Sequence, residues 1–190
     1  MIDENSFGIL VSDFELEDDE YQLEPAAFVE RVQRFRDVIF DYLAATPLAN
    51  DTRALDLGHA IYIEFGEGEQ TTDPIAWLRG ARQRLAAQEL VSFAVLSHGS
   101  RWVDEEHGVE LEVEQRYVGS VAVARFSNPS EPLRRALYAD TAGHSNDDAE
   151  QGWGQGLYVD TEAIEALGLV LKNQPTGLSV ASAVFFRVSR

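Results

Sequence analysis

The chain has 190 residues, no cysteine and 45% hydrophobic residues, enough for one domain with a sizeable core. Its 33 acidic and 15 basic residues give a formal charge of −18, a field that repels nucleic acid unless a local basic patch outweighs it. The missing cysteines exclude disulfides, thiol catalysis and Cys-based zinc sites, and no run of about 18 apolar residues predicts a membrane span.

Residues 1–24 read as an acidic N-terminal arm. A short apolar stretch from Phe7 to Val11 precedes Asp13, Glu15, Glu17, Asp18, Asp19, Glu20 and Glu24. The arm lacks the basic start of a signal peptide. Phe14, Leu16, Tyr21 and Leu23 are its candidate docking side chains. A single α+β domain is predicted over residues 25–190.

Pro25 opens a helix, since proline's missing N–H costs nothing at the first position. Phe28, Val32, Phe35, Ile39 and Leu43 recur at three- and four-residue spacing, which predicts an amphipathic helix to about Ala45. Arg31, Arg34 and Asp41 are placed off that stripe. Residues 53–65 alternate as one strand, with Leu55, Leu57, His59, Ile61, Ile63 and Phe65 on one face. Asp73-Pro74 is an N-cap and first-turn pair for a helix to about Glu89, with Ile75, Leu78 and Leu85 inward. Gly80 weakens this helix. Arg79, Arg82 and Arg84 make it locally basic.

A strand is expected over 91–103 and a hairpin loop over 104–108. A long strand follows from Val109 to Phe126, and this stretch organises the rest. Val109, Leu111, Val113, Tyr117, Val121 and Val123 hold one face. Glu110, Glu112, Glu114 and Arg116 make the first half a hairpin projecting from the packed body. A Pro-marked break and a short helix to Tyr138 follow. Residues 141–156 form a polar loop around Trp153. Gly156 to Val159 reads as a short strand, and Asp160 or Thr161 caps a brief helix ending at Gly168. The last strand, 178–190, repeats the small face of Ser120, Ala122 and Ala124 with Ser179, Ala181 and Ala183. Ala122 and Ala181 are therefore expected side by side. The fold class is α+β: a mixed or antiparallel sheet with a projecting β-hairpin, packed by two longer and one or two short helices.

No catalytic, cofactor-binding or metal-binding residue stands out. His59, His98, His107 and His144 share no metal-ligand spacing. Ser97-His98-Gly99-Ser100 lacks the sharp elbow and base that a serine nucleophile needs. Gly152-Trp153-Gly154-Gln155-Gly156 follows a polar loop and precedes no lysine, unlike a phosphate loop. The candidate interface consists of Asp18, Asp19, Glu20, Arg79, Arg82, Arg84, Glu105, Glu106 and Trp153. The arginines are read either as a solvated helix face or as binding an acidic surface, such as the acidic arm of a neighbouring copy, which would steer assembly.

Glu114-Gln115-Arg116-Tyr117 enters Val121-Ala122-Val123-Ala124-Arg125-Phe126, and the helix to Tyr138 comes next. Gly168-Leu169-Val170-Leu171 and Val184-Phe185-Phe186-Arg187 close the chain. This order resembles the tail-terminator or tail-completion (neck) proteins of tailed bacteriophages. The resemblance implies a non-enzymatic structural protein without a cofactor. It implies a homo-oligomeric ring, a hexamer by the family's habit, built on one repeated heterologous interface. Its partners would be other tail or neck proteins, with DNA passing through the channel and no specific nucleic-acid or membrane binding. It would sit in the virion, or in the cytoplasm if not viral. Two other classes stay open: an acidic monomeric binding protein, such as an immunity protein or inhibitor of a basic partner, and an enzyme or small-molecule binder with a site assembled from distant residues.

Overall fold

The computed structural model describes residues 2–13, 24–56, 58, 60–102, 156–170, 178–180 and 183–188. Seven strands form one sheet. They are β1 (Ile2–Asp13), β2 (Arg53–Asp56), β3 (Ala60–Gly66), β4 (Ser92–Trp102), β5 (Gly156–Asp160), β6 (Leu178–Val180) and β7 (Ala183–Arg187). Their order across the sheet is β2-β3-β1-β4-β5-β7-β6. The β4–β5 pair is parallel and the other pairs are antiparallel, so the sheet is mixed. Three described α-helices accompany it: α1 (Pro25–Ala45), α2 (Pro74–Ala86) and α3 (Thr161–Ala166). The α+β class with a mixed sheet and two longer helices is as expected.

The largest departure is β1. Residues 2–13 do not form an arm; they pair with β3 on one side and β4 on the other. Phe7, Ile9 and Val11 face the helices in the core cluster. Leu10, on the opposite face, is equally buried. A near-continuous apolar run is the mark of a strand covered on both faces. Each such side chain contributes roughly 1.5–3 kcal/mol when buried. Acidic contacts on a solvated arm contribute about 0–1 kcal/mol each. Burial wins, and the run becomes the middle of the sheet. Residues 14–23, the rest of the predicted arm, lie outside the described residues.

Residues 53–65 are not one strand. Gly58 takes φ +86°, a conformation favouring glycine, and its N–H donates to Asp56 Oδ1 at 2.8 Å. This turns the chain back, so β2 and β3 pair as a hairpin. The terminal segment is likewise a hairpin, β6 with β7, and not one strand. The long strand from Val109, the 104–108 hairpin, and Ala122 and Ala181 lie outside the described residues.

On α1 the buried residues are Arg31, Phe35 and Ile39, spaced by four. Phe28, expected inward, is 45% exposed, and its neighbour Val29 is 65% exposed. Asp73 caps α2, accepting the Ile75 N–H at 2.9 Å. Trp77 joins Ile75, Leu78, Ala81 and Leu85 in its buried face. Tyr42 of α1 stacks on Trp77 with ring centroids 5.2 Å apart, and the Arg84 guanidinium lies 4.6 Å from the Tyr42 ring centroid. Gly80 is where the two helices approach: a Cβ there would meet the Tyr42 hydroxyl at 2.2 Å. Its lower helix propensity is the counterpart of that contact.

Candidate active site

The apolar run of β1 ends at Ser12-Asp13. Ser12 lies opposite Ala60 where β3 begins, and Asp13 lies opposite Ser92 where β4 begins. The Asp13 carboxylate therefore stands at one end of the sheet, on an inner strand flanked by β3 and β4. Its side chain is fully buried, a placement that is expensive for a charge without a partner.

The partner comes from α1. Arg31 is one helical turn before Phe35, on the core stripe. Its Nε–H donates to Asp13 Oδ2 at 2.7 Å and its Nη2 donates to Oδ1 at 2.9 Å. The guanidinium covers both carboxylate oxygens, the strongest form of such a pair. Arg31 is only 10% exposed along its side chain. Next to this pair, the β2–β3 turn is held in a similar way. Asp56 Oδ1 accepts the Gly58 N–H, and its Oδ2 pairs with Arg36 Nη2 of α1. The second pair is partly exposed and contributes at most about 1 kcal/mol. Helix α1 thus sends two arginines to two carboxylates at this end of the sheet.

A second polar group ties β4, β5 and α3 together. Asp160 ends β5 and caps α3, accepting the Ala163 N–H at 2.7 Å. The Ser97 hydroxyl donates to Asp160 Oδ2, and the His98 backbone N–H lies 3.3 Å from both oxygens. The His98 ring instead meets Phe7 at 4.8 Å, and its Nε2 lies 3.1 Å from Glu67 Oε2. Ser97 and His98 alternate across the strand, so this is not a nucleophile with its base. It is a brace between β4, β5 and the start of α3.

Burial pushes the Asp160 carboxyl up to about 6, against the lowering effect of the hydrogen bonds from Ser97, Ala163 and His98. The folded state then holds a proton that the unfolded chain releases above pH 3.8. This contribution to stability is complete below that pH and is lost as pH rises through about 6. Relative to Asp160→Asn, the wild type is expected to lose up to roughly 3 kcal/mol across that window. Urea unfolding of both proteins at several pH values measures it. A difference that does not change with pH would remove the buried carboxyl as the cause.

Among the residues singled out by sequence, Arg79 and Arg84 are exposed on α2 and Arg82 is half-buried. Asp18, Asp19, Glu20, Glu105, Glu106 and Trp153 lie outside the described residues, as do His59, His107 and His144. Sequence reasoning missed Asp13 and Arg31. The available signal was the four-residue spacing of Arg31, Phe35 and Ile39, which puts the arginine on the core stripe. Among the described residues no group of three or more His, Asp or Glu side chains is placed to hold a metal ion, and no helix is long and apolar enough to cross a membrane.

No protein-family model matches the chain, and no curated protein sequence matches it. Solved structures do. The adenylyl cyclase CyaB of P. aeruginosa superposes with TM-score 0.54 at 10% identity, covering 100% of this chain and 97% of that one. The dimeric guanylyl cyclase domain of the RhoGC fusion protein of the aquatic fungus Blastocladiella emersonii gives 0.54 at 8% identity, covering 98% and 94%. The catalytic core of a rhodopsin-guanylyl cyclase of converted specificity, in complex with ATPαS, gives 0.52 at 8% identity, covering 100% and 98%. The fold is that of nucleotidyl cyclase domains. This overturns the resemblance to phage tail-terminator and neck proteins, which rested on element order in the C-terminal half. It also overturns the non-enzymatic assembly role and the viral setting drawn from it. The hexameric ring and tail partners lose their support, while association of the chain with itself stays compatible with a dimeric neighbour.

Proposed function

We propose that the chain is a catalytic domain of the nucleotidyl cyclase type, acting on a nucleoside triphosphate as a homodimer. The observation that carries this reading is the match of the whole chain to cyclase domains, one of them bound to a triphosphate analogue. In this chain the inner strand β1 ends in the buried carboxylate Asp13.

In the reaction, the 3′-hydroxyl oxygen of the nucleotide bonds to the α-phosphorus. The bond from that phosphorus to the bridging oxygen breaks, and pyrophosphate leaves with the electron pair. The hydroxyl proton passes to solvent. A triphosphate carries several negative charges, and catalysis at phosphorus depends on positioning and on neutralising them. Arg36, whose side chain is 40% exposed, is a cation that α1 brings to this end of the sheet within reach of solvent, whereas Arg31 is committed to Asp13.

Magnesium in phosphoryl-transfer sites is held by one or two carboxylates together with substrate phosphates. The described residues do not fit it as they stand. Both oxygens of Asp13 are covered by Arg31, and both of Asp56 are engaged by Gly58 and Arg36.

The test is to incubate the purified chain with ATP or GTP and follow the products by liquid chromatography and mass spectrometry. Cyclic nucleotide and pyrophosphate in equal amounts are expected from at least one of them. Light scattering should report a dimer under the same conditions. No product from either nucleotide, with no nucleotide binding by calorimetry, would overturn the reading.

A further inference from the structure

Asp13 is where a divalent cation would be sought in a sheet that takes a nucleoside triphosphate, because it is a fully buried carboxylate at the end of an inner strand, beside Asp56 at the same end of the sheet. We propose that Arg31 is the resident cation of this site: its guanidinium closes Asp13 to divalent metal ions. The inference draws its significance from the proposed nucleotide chemistry, but its test uses no turnover.

Two observations carry it. The contact is two-pronged, Nε to Oδ2 and Nη2 to Oδ1, so a metal on either oxygen would have to share it with the guanidinium. The pair is buried, with Asp13 fully covered and Arg31 nearly so, which leaves little room for an ion beside the guanidinium.

The identity of the residue matters as well. Arginine stays protonated at any pH the protein meets, so the closure is not relieved by titration of the cation. Its planar fork matches a carboxylate, which the point charge of a lysine does not. Arg31 is also fixed from behind. It belongs to the buried stripe of α1 with Phe35 and Ile39, so its backbone position is set by the packing of that helix. Two cations sharing one dry carboxylate repel strongly. Metal and guanidinium therefore exclude each other.

The experiment is a manganese titration of the full chain without nucleotide, reading free Mn²⁺ by electron paramagnetic resonance. Arg31→Gln shortens the side chain and removes its charge and both of its contacts to the carboxylate. It is expected to bind Mn²⁺ at least about tenfold more tightly than the wild type. The double variant Asp13→Asn with Arg31→Gln should return to the wild-type affinity. The proposal is overturned if the folded Arg31→Gln protein gains no affinity. It is also overturned if the wild type binds Mn²⁺ as tightly as that variant and loses it in Asp13→Asn. Circular dichroism checks folding. If Arg31→Gln does not fold, Arg31→Lys takes its place. One ammonium cannot cover both oxygens, so a smaller gain is expected, and no gain overturns the proposal. Cyclic nucleotide formed alongside a failed manganese result would sink the closure and leave the reaction standing.

Discussion

Alanine at Asp13 is expected to lower the unfolding free energy by about 3–5 kcal/mol. The loss comes mainly from what remains. Arg31 is nearly buried on the core stripe of α1, and without the carboxylate its charge has lost both short contacts. A charge that cannot reach water must be rehydrated by opening the end of the sheet. Alanine at Arg31 should do similar damage by removing both guanidinium contacts from the buried carboxylate. The pair Asp13→Leu with Arg31→Met should recover most of the loss, because apolar residues of similar volume often replace a buried ion pair at no net cost. Urea unfolding of the wild type, the two alanine variants and the Asp13→Ala with Arg31→Ala double variant closes a double-mutant cycle and isolates the coupling between the two side chains. Single-variant losses below about 1 kcal/mol would mean the pair behaves as a solvated one.

Replacing Trp77 by alanine should also remove about 3–5 kcal/mol. Trp77 is fully buried between α1 and α2, and Tyr42 stacks against it. Alanine would leave a cavity in the contact that holds the two helices together. The indole Nε1–H also donates to the Thr46 carbonyl at 2.8 Å, where α1 ends. Trp77→Phe keeps most of the apolar volume and loses that hydrogen bond, so about 1–2 kcal/mol is expected. Thermal or urea unfolding of both variants separates packing from hydrogen bonding. Equal losses for the two would mean that the ring's volume does not matter there.

Much of this architecture is readable in the residues. Pro25 and the apolar periodicity set α1, and Asp73-Pro74 set the start of α2. The short β5 and the cap at Asp160 also stand where the sequence puts them. The errors have a shared cause. Acidic residues after Asp13 coloured the reading of the whole N-terminal segment, although Phe7 to Val11 alone carries the apolar content of a central strand. The alternation of residues 53–65 hid a turn, because Gly58 sits within it without breaking the pattern of side-chain types. Arg31 looked like a solvated charge because polarity was weighed above spacing. The site stayed hidden for a deeper reason. Asp13 and Arg31 are brought together by the packing of α1 on the sheet, and neither residue belongs to a local motif. The likeness to cyclase domains, at 8–10% identity in three matches, survives in the path of the backbone and not in the letters.

The placement of β1 has a consequence for how the protein is made. As the chain is synthesised, this apolar strand leaves the ribosome well before either of its neighbours, β3 and β4, exists to pair with it. Until they arrive it presents two open edges and two greasy faces, the arrangement most prone to sticking to another copy. Its permanent contacts are distant in sequence, which slows their formation. Cells producing this protein quickly should therefore accumulate aggregates unless a chaperone shelters the emerging segment, and a slower translation rate should raise the soluble yield.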